Sequence, residues 1–197
     1  MIQMRKLSEL FKRRKAIKLV IAGLGNPGKK YLKNRHNAGF LAADYLAAEW
    51  GVTFNGKKFS AETAVYKGIS GEILLLKPQT YMNRSGDPIS AALNFYKVDP
   101  DSLIVLHDEI EFPFAKTALK TGGGHKGHNG LRSIIQRTGS SDFYRIRIGV
   151  GRPEDDRIPV ADYVLSDFTG EENKRLSQVF SNVSGLVNEL INKLTKD

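Results

Sequence analysis

Residues 17–22 form an apolar, β-branched run that reads as a buried central strand. The run leads straight into Gly23-Leu24-Gly25-Asn26-Pro27-Gly28, a turn tight enough to need small residues and proline. Ten residues beyond Asn26 comes His36, with Asn37 beside it, just before a helical pattern begins. Open α/β sheets place their ligands at the ends of buried strands, so this stretch predicts a site toward which the rest of the chain brings groups. The spacing Gly23-x-Gly25-x-x-Gly28 also spells a dinucleotide fingerprint, which requires a helix opening at the third glycine and an acid ending a second strand. Neither follows: Pro27-Gly28 is a turn, residues 29–35 are basic and unpatterned, and Asp44 falls inside a helical stretch.

The remaining chain alternates strands and helices. Apolar residues at helical spacing (Phe40, Leu41, Tyr45, Leu46, Trp50) predict a helix over 38–50, stopped by Gly51. Strands are predicted at 61–66, 72–76, 103–106 and 144–150, with an exposed strand or arm within 112–120. Helices are predicted at 88–96, at 131–137 and from 172 onward, the last on Leu176, Val179, Phe180, Val183, Leu186, Leu190 and Leu194. Residues 77–86 and 152–159 read as polar connections. This order predicts one α/β domain over 17–197, with a twisted, mixed and partly parallel sheet flanked by helices.

Of 197 residues, 30 are Lys or Arg and 21 Asp or Glu, a net charge of +9 that favours a polyanionic partner. Residues 1–18 carry seven cations against the single acid Glu9, so six of the nine surplus charges lie there. Residues 1–16 are therefore expected to be a basic extension, a frayed helix or solvated tail. The absence of cysteine excludes disulfides, thiolate catalysis and Cys-ligated zinc. No apolar run has membrane-spanning length and no signal-peptide core opens the chain, which predicts a cytoplasmic protein with no membrane partner.

Several predicted strands end in polar side chains: Asn26 with His36, Met82 with Asn83, Asp108, and His128 with Asn129. Each also has an ordinary structural reading. Asn26 and Asn83 suit turns, Asn129 suits a helix N-cap before Leu131, Asp108 suits a strand end, and a lone histidine is commonly structural. Their common interest is that all four places can converge on one edge of a sheet. With no Gly-x-Ser-x-Gly elbow and no cysteine, an enzyme-bound acyl intermediate lacks a nucleophile. The histidines match no strong zinc spacing. What remains is a histidine paired with a carboxylate and surrounded by amides. Such a pair activates water, and the amides grip a peptide backbone or a developing oxyanion. One base acting on water suits an activated ester better than an amide, and the basic surface suits a polyanionic leaving group.

The segments GLGNPGKKYLKNRHNAGF, KPQTYMNRSG, HDEIEFP and GGGHKGHNGLRS, in this order and spacing, resemble the bacterial peptidyl-tRNA hydrolase family. The resemblance runs from about residue 17 to near the C-terminus. It implies cleavage of the ester joining peptide to the terminal ribose of tRNA, which recycles tRNA from stalled translation. It also implies no metal or organic cofactor, a monomer with no obligate protein partner, and a mixed sheet flanked by helices. A non-catalytic RNA-binding protein using the same basic face is the alternative.

Carried over position by position, the resemblance makes His36 the general base and Asp108 the acid that orients it. Asn26 matches the residue that helps separate N-blocked from free aminoacyl-tRNA. Tyr31, Tyr81, Asn83, His128 and Asn129 match substrate-contacting positions, and Met82 lines the site. Lys120 and Arg147 match a pair that clamps the tRNA 5′-phosphate while flanking the site. The chain departs from the family pattern at Phe114, often glycine, at Lys126, where a small residue is usual, and in its basic extension.

Overall fold

The computed structural model describes residues 16–68 and 71–194, so all of the basic extension but its last residue lies outside the described residues. One seven-stranded sheet organises the chain, in the order β2-β3-β4-β1-β5-β7-β6. These strands are β1 (Ile17–Gly23), β2 (Gly56–Lys58), β3 (Ala61–Lys67), β4 (Glu72–Pro78), β5 (Leu103–Glu109), β6 (Thr117–Thr121) and β7 (Tyr144–Gly149). β4, β1, β5 and β7 run parallel, while β2-β3 and β6 add antiparallel edges. The sheet is thus mixed and partly parallel, as the alternation of elements predicts.

Alternation along the central strands builds two cores. Leu19 and Ile21 of β1 point to one face, and Val20 and Ala22 to the other. Helix α1 (Ala38–Glu49) and the long closing helix α5 (Gly170–Leu194) cover the first face. Helices α2 (Gly86–Tyr96) and α3 (Asn129–Thr138) cover the second. β1 and β5 are buried on both faces, which is why they read as continuous apolar runs without alternation.

Two elements escaped the sequence reading. β2 spans three residues, too few for a period to register, and it exists through its pairing with β3. A five-residue helix, α4 (Val160–Val164), follows the polar connection and carries only one buried residue, Val164. The expected arm over 112–120 resolves into a turn followed by β6, paired antiparallel to β7. No helix among the described residues is long and apolar enough to cross a membrane.

Candidate active site

β1, β4 and β5 end side by side, and the segments leaving them supply most of the candidate residues. His36 sits on a single 3-10 turn (Arg35–Asn37) that feeds directly into α1. The start of α1 lies almost on the sheet: Phe40 N–H donates to Leu24 O (3.1 Å) and Leu24 N–H to Leu106 O (2.9 Å). A Cβ added at Gly39 would stand 2.2 Å from Leu106 O, so only glycine permits this approach. Seating α1 there holds His36 over the end of β5, where Asp108 emerges.

The other side of the turn is anchored by Arg35, which is 5% exposed although charged. Its guanidinium donates to Ser166 Oγ (2.8 Å), to Asp167 O and to Glu172 Oε2 (2.6 Å), and lies over the Tyr163 ring. Asn34 Nδ2 adds a bond to Asp167 Oδ1 (2.9 Å). The segment carrying His36 is thereby tied to residues 165–172, more than 130 positions away. Sequence reasoning missed this anchor, because nothing in a basic, unpatterned run marks which arginine is buried.

Asp108 is 3% exposed and holds two imidazoles. His36 Nδ1 lies 2.9 Å from both its carboxylate oxygens, and His128 Nε2 lies 3.0 Å from Oδ1. A carboxylate only accepts, so His36 carries its proton on Nδ1 and keeps a lone pair on Nε2. His128 is fixed independently: its Nδ1 accepts from Gly130 N–H (3.1 Å) and Leu131 N–H (3.3 Å), capping α3. The cap is therefore His128 and not Asn129. An imidazole fixes helix N–H groups with one nitrogen while aiming the other at Asp108, whereas Asn129 is the first residue inside the helix and is exposed.

The electrostatics follow from this packing. Burial is the largest influence on His36 and lowers its pKa, yet the charge and hydrogen bond of Asp108 together outweigh it and leave it raised above 6.5. Burial likewise pushes Asp108 up, but the two imidazoles and their N–H bonds prevail and hold it well below the ordinary value of 3.8. The neighbouring His107 is driven by burial, and then by His128, to about 3, so it stays neutral and its Nδ1 donates to Asp108 O (2.7 Å).

His36, Asp108 and His128 place one potential ligand atom each within 4.8 Å of one another. His128 fits a metal poorly: offering Nε2 to an ion while Nδ1 accepts from the helix would require an imidazolate. The trio is a hydrogen-bonded cluster in which Asp108 accepts from both imidazoles.

Asn26 and Met82 meet in a second hydrogen-bonded group, reached through Asn37, the neighbour of His36. Asn37, 1% exposed, holds the Asn26 backbone from both ends, accepting from Asn26 N–H (2.8 Å) and donating from Nδ2 to Asn26 O (3.0 Å). The Asn26 side chain then accepts Met82 N–H on Oδ1 (2.8 Å). With Oδ1 occupied, Asn26 presents Nδ2, a donor. Asn37 is thus a positioning residue that sequence reading noted only as a neighbour of His36. Tyr31 is half-buried, and Tyr81 and Asn83 are exposed, Tyr81 at 60%. Lys30 lies over the Tyr31 ring, and both phenols act on its charge, so the two tyrosines share one rim.

A cleft of about 250 Å³ opens beside His36 and is walled by Asp108, His128, Asn129, Lys120 and Arg147 among others. The alternation in β7 explains its charge. Ile146 and Ile148 face the core, while Arg145 and Arg147 share the opposite face, and the register (Lys120 opposite Arg145, Ala118 opposite Arg147) brings Lys120 to that face. Arg145 is 2% exposed and donates to the carbonyls of Gly123 and Gly124, pinning the glycine loop. Arg147 pairs with Glu109 Oε2 (3.4 Å) and stacks on Phe112. Lys120 and Arg147, read from the sequence as able to flank the site, line the same cleft as His36.

Comparisons with known proteins agree with this architecture. A sequence model of one family, described as peptidyl-tRNA hydrolase, matches residues 20–197. Among similar curated proteins, the peptidyl-tRNA hydrolase of Caldicellulosiruptor saccharolyticus is 48% identical over 157 residues, covering 80% of this chain and 82% of that protein. The peptidyl-tRNA hydrolase of Geotalea uraniireducens is 46% identical over 176 residues, covering 89% and 91%. Among solved structures, a point mutant of peptidyl-tRNA hydrolase from Acinetobacter baumannii superposes with a TM-score of 0.78 at 36% identity, covering 92% of this chain and 94% of that one. Sequence and fold agree over most of both partners in each comparison, and the chain belongs to the peptidyl-tRNA hydrolase family.

Proposed function

We propose that this protein hydrolyses the ester between peptide and tRNA in peptidyl-tRNA, with His36 as general base. The observation that carries this is the His36–Asp108 pair: Nδ1–H is committed to a buried carboxylate, and Nε2 keeps its lone pair beside a basic cleft. Water held at Nε2 attacks the ester carbonyl carbon as its proton passes to the imidazole. Asp108 stabilises the imidazolium that forms. The tetrahedral intermediate collapses by expelling the ribose oxygen, which recovers the proton from His36, so one water yields one peptide acid and one free tRNA hydroxyl. Asn26 Nδ2 donates to the neutral amide carbonyl of a blocked substrate, a bond that a free ammonium cannot replace. Asn83, Asn129, Tyr31 and Tyr81 supply further contacts to the substrate, Met82 and His128 shape the site, and Lys120 with Arg147 takes the 5′-phosphate of the tRNA.

The chemistry assigned to these residues calls for no metal or organic cofactor. A monomer fits the covered sheet faces and the short, lysine-bearing edge strand β2, and a cytoplasmic location follows from a substrate released by translation. The test is release of tRNA by chelator-treated protein from N-acetyl-aminoacyl-tRNA and from free aminoacyl-tRNA. Catalytic release from the blocked substrate, with the free one spared, is expected. Tight tRNA binding without turnover would overturn the proposal in favour of an RNA-binding role.

A further inference from the structure

Lys126 occupies the middle of the glycine loop with φ +46, a left-handed conformation that is costly for any residue with a Cβ. Its neighbour Gly127 takes φ +86, so this part of the loop bends through two left-handed residues and only one of them is glycine. The loop cannot relax the strain easily. Arg145 holds the carbonyls of Gly123 and Gly124, His125 Nδ1 accepts Gly127 N–H (3.0 Å), and His128 N–H returns to His125 O (2.9 Å). Strain held by a rigid surround is a recurrent mark of functional positions.

Lys126 is exposed and lines the cleft that contains His36. Two of the other three cations there are already engaged in part, Arg145 by loop carbonyls and Arg147 by Glu109, and the third, Lys120, is assigned above to the 5′-phosphate. Lys126 makes no ion pair among the described residues, although its charge reaches both Lys120 and the Arg152-bound Glu111. Gathering unpaired cations around one cleft is unfavourable in the free protein and becomes favourable when an anion enters. The ester must sit at His36 Nε2, so the esterified ribose enters this cleft. The first anion beyond it, one sugar away, is the phosphodiester on its 5′ side.

We propose that Lys126 binds that phosphodiester, adding a substrate contact that the glycine loop carries at a cost in stability. This rests on the hydrolysis proposed above and is distinct from the 5′-phosphate of the tRNA assigned to Lys120 and Arg147. The test compares an N-acetyl-aminoacyl nucleoside, which has no phosphodiester, with an N-acetyl-aminoacyl dinucleotide, which has one. Lys126→Ala should raise the ratio of dinucleotide to nucleoside KM about 5–10-fold, as expected for one exposed charge-assisted contact. Lys126→Arg should restore the ratio. The salt dependence of kcat/KM for the dinucleotide should be weaker in the alanine variant than in the wild type, because one screened ion pair is gone. Lys126→Gly should match the alanine variant in KM ratio yet melt about 2–4 °C higher than the wild type, because the left-handed strain is relieved. An unchanged KM ratio in the alanine variant, or a glycine variant that melts no higher, overturns the proposal. If the wild type hydrolyses neither substrate nor blocked tRNA, the failure lies in the hydrolysis itself; if it hydrolyses both and the ratio stays put, only the Lys126 assignment fails.

Discussion

Replacing Asp108 by asparagine changes one atom and leaves the shape of the site intact, yet the hydrogen bonding around it predicts a loss close to that of removing the base. Asp108 Oδ1 is shared by His36 Nδ1 and His128 Nε2, and both nitrogens donate. Asparagine offers one acceptor and one donor group in that space. His128 cannot change tautomer, because its Nδ1 accepts the N–H groups that open α3, so it keeps its claim on the amide oxygen. The amide nitrogen then faces His36 Nδ1, which must become the acceptor. The His36 proton moves to Nε2, where the lone pair is needed. A ranking from sequence alone puts Asp108→Asn below His36→Ala, since the imidazole survives; the shared oxygen removes that ranking. The expected loss in kcat is about 10²–10⁴-fold, or about 3–5 kcal/mol of transition-state stabilisation. The wild-type acid limb should lie above 6.5, because His36 must be neutral to act and its pKa is raised. In Asp108→Asn the raising charge is gone and burial alone remains, so the limb should move to lower pH. The assay is kcat together with the pH profile of kcat/KM, which reports the free enzyme, on N-acetyl-aminoacyl-tRNA, with circular dichroism to verify folding. A folded Asp108→Asn protein with near-normal kcat, or with an unmoved acid limb, would refute this account of the trio.

Three further expectations follow from the same geometry. Asn26→Asp keeps the oxygen that accepts Met82 N–H but replaces the Nδ2 donor by a carboxylate; kcat/KM on blocked substrate should fall about 10–100-fold while free aminoacyl-tRNA gains relative to it, read by comparing the two substrates. Arg35→Ala removes a buried cation from Glu172 and unties the His36 segment, which should cost about 3 kcal/mol and lower Tm by roughly 6–12 °C in a thermal melt, with activity falling too. The raised pKa of His36 also sets a stability trend opposite to activity: its contribution to stability is fully present below 6.5 and is lost as pH rises through the folded value, so in Asp108→Asn, where burial alone acts, the His36 contribution should reverse and grow as pH rises toward neutrality, read in thermal melts across pH.

What the sequence made legible was whatever leaves a local trace. The run before Gly23 announces β1 because both faces are buried, and His107-Asp108-Glu109 closes an apolar run because β5 ends at the site. His36 stands out because it directly precedes the helical pattern of α1. The illegible parts depend on contacts made far along the chain. Asn129 looks like the cap of α3 by residue type, yet His128 wins because its ring has a second nitrogen that Asp108 can use. Asn37 and Arg35 are polar residues in a polar run, and only the fold shows that one clamps Asn26 and the other reaches Glu172. Arg145 alternates with Ile146 in β7, which marks it as facing away from the main core but not as buried beneath the glycine loop.

The central claim is that His36, held by Asp108 through Nδ1, activates at Nε2 the water that cleaves the ester. It is tested most directly by measuring tRNA release and tRNA affinity side by side for His36→Ala. The imidazole anchors no phosphate, so the variant should bind tRNA as the wild type does while turnover falls about 10²–10⁴-fold. A folded His36→Ala protein that releases tRNA at nearly the wild-type rate would contradict the claim.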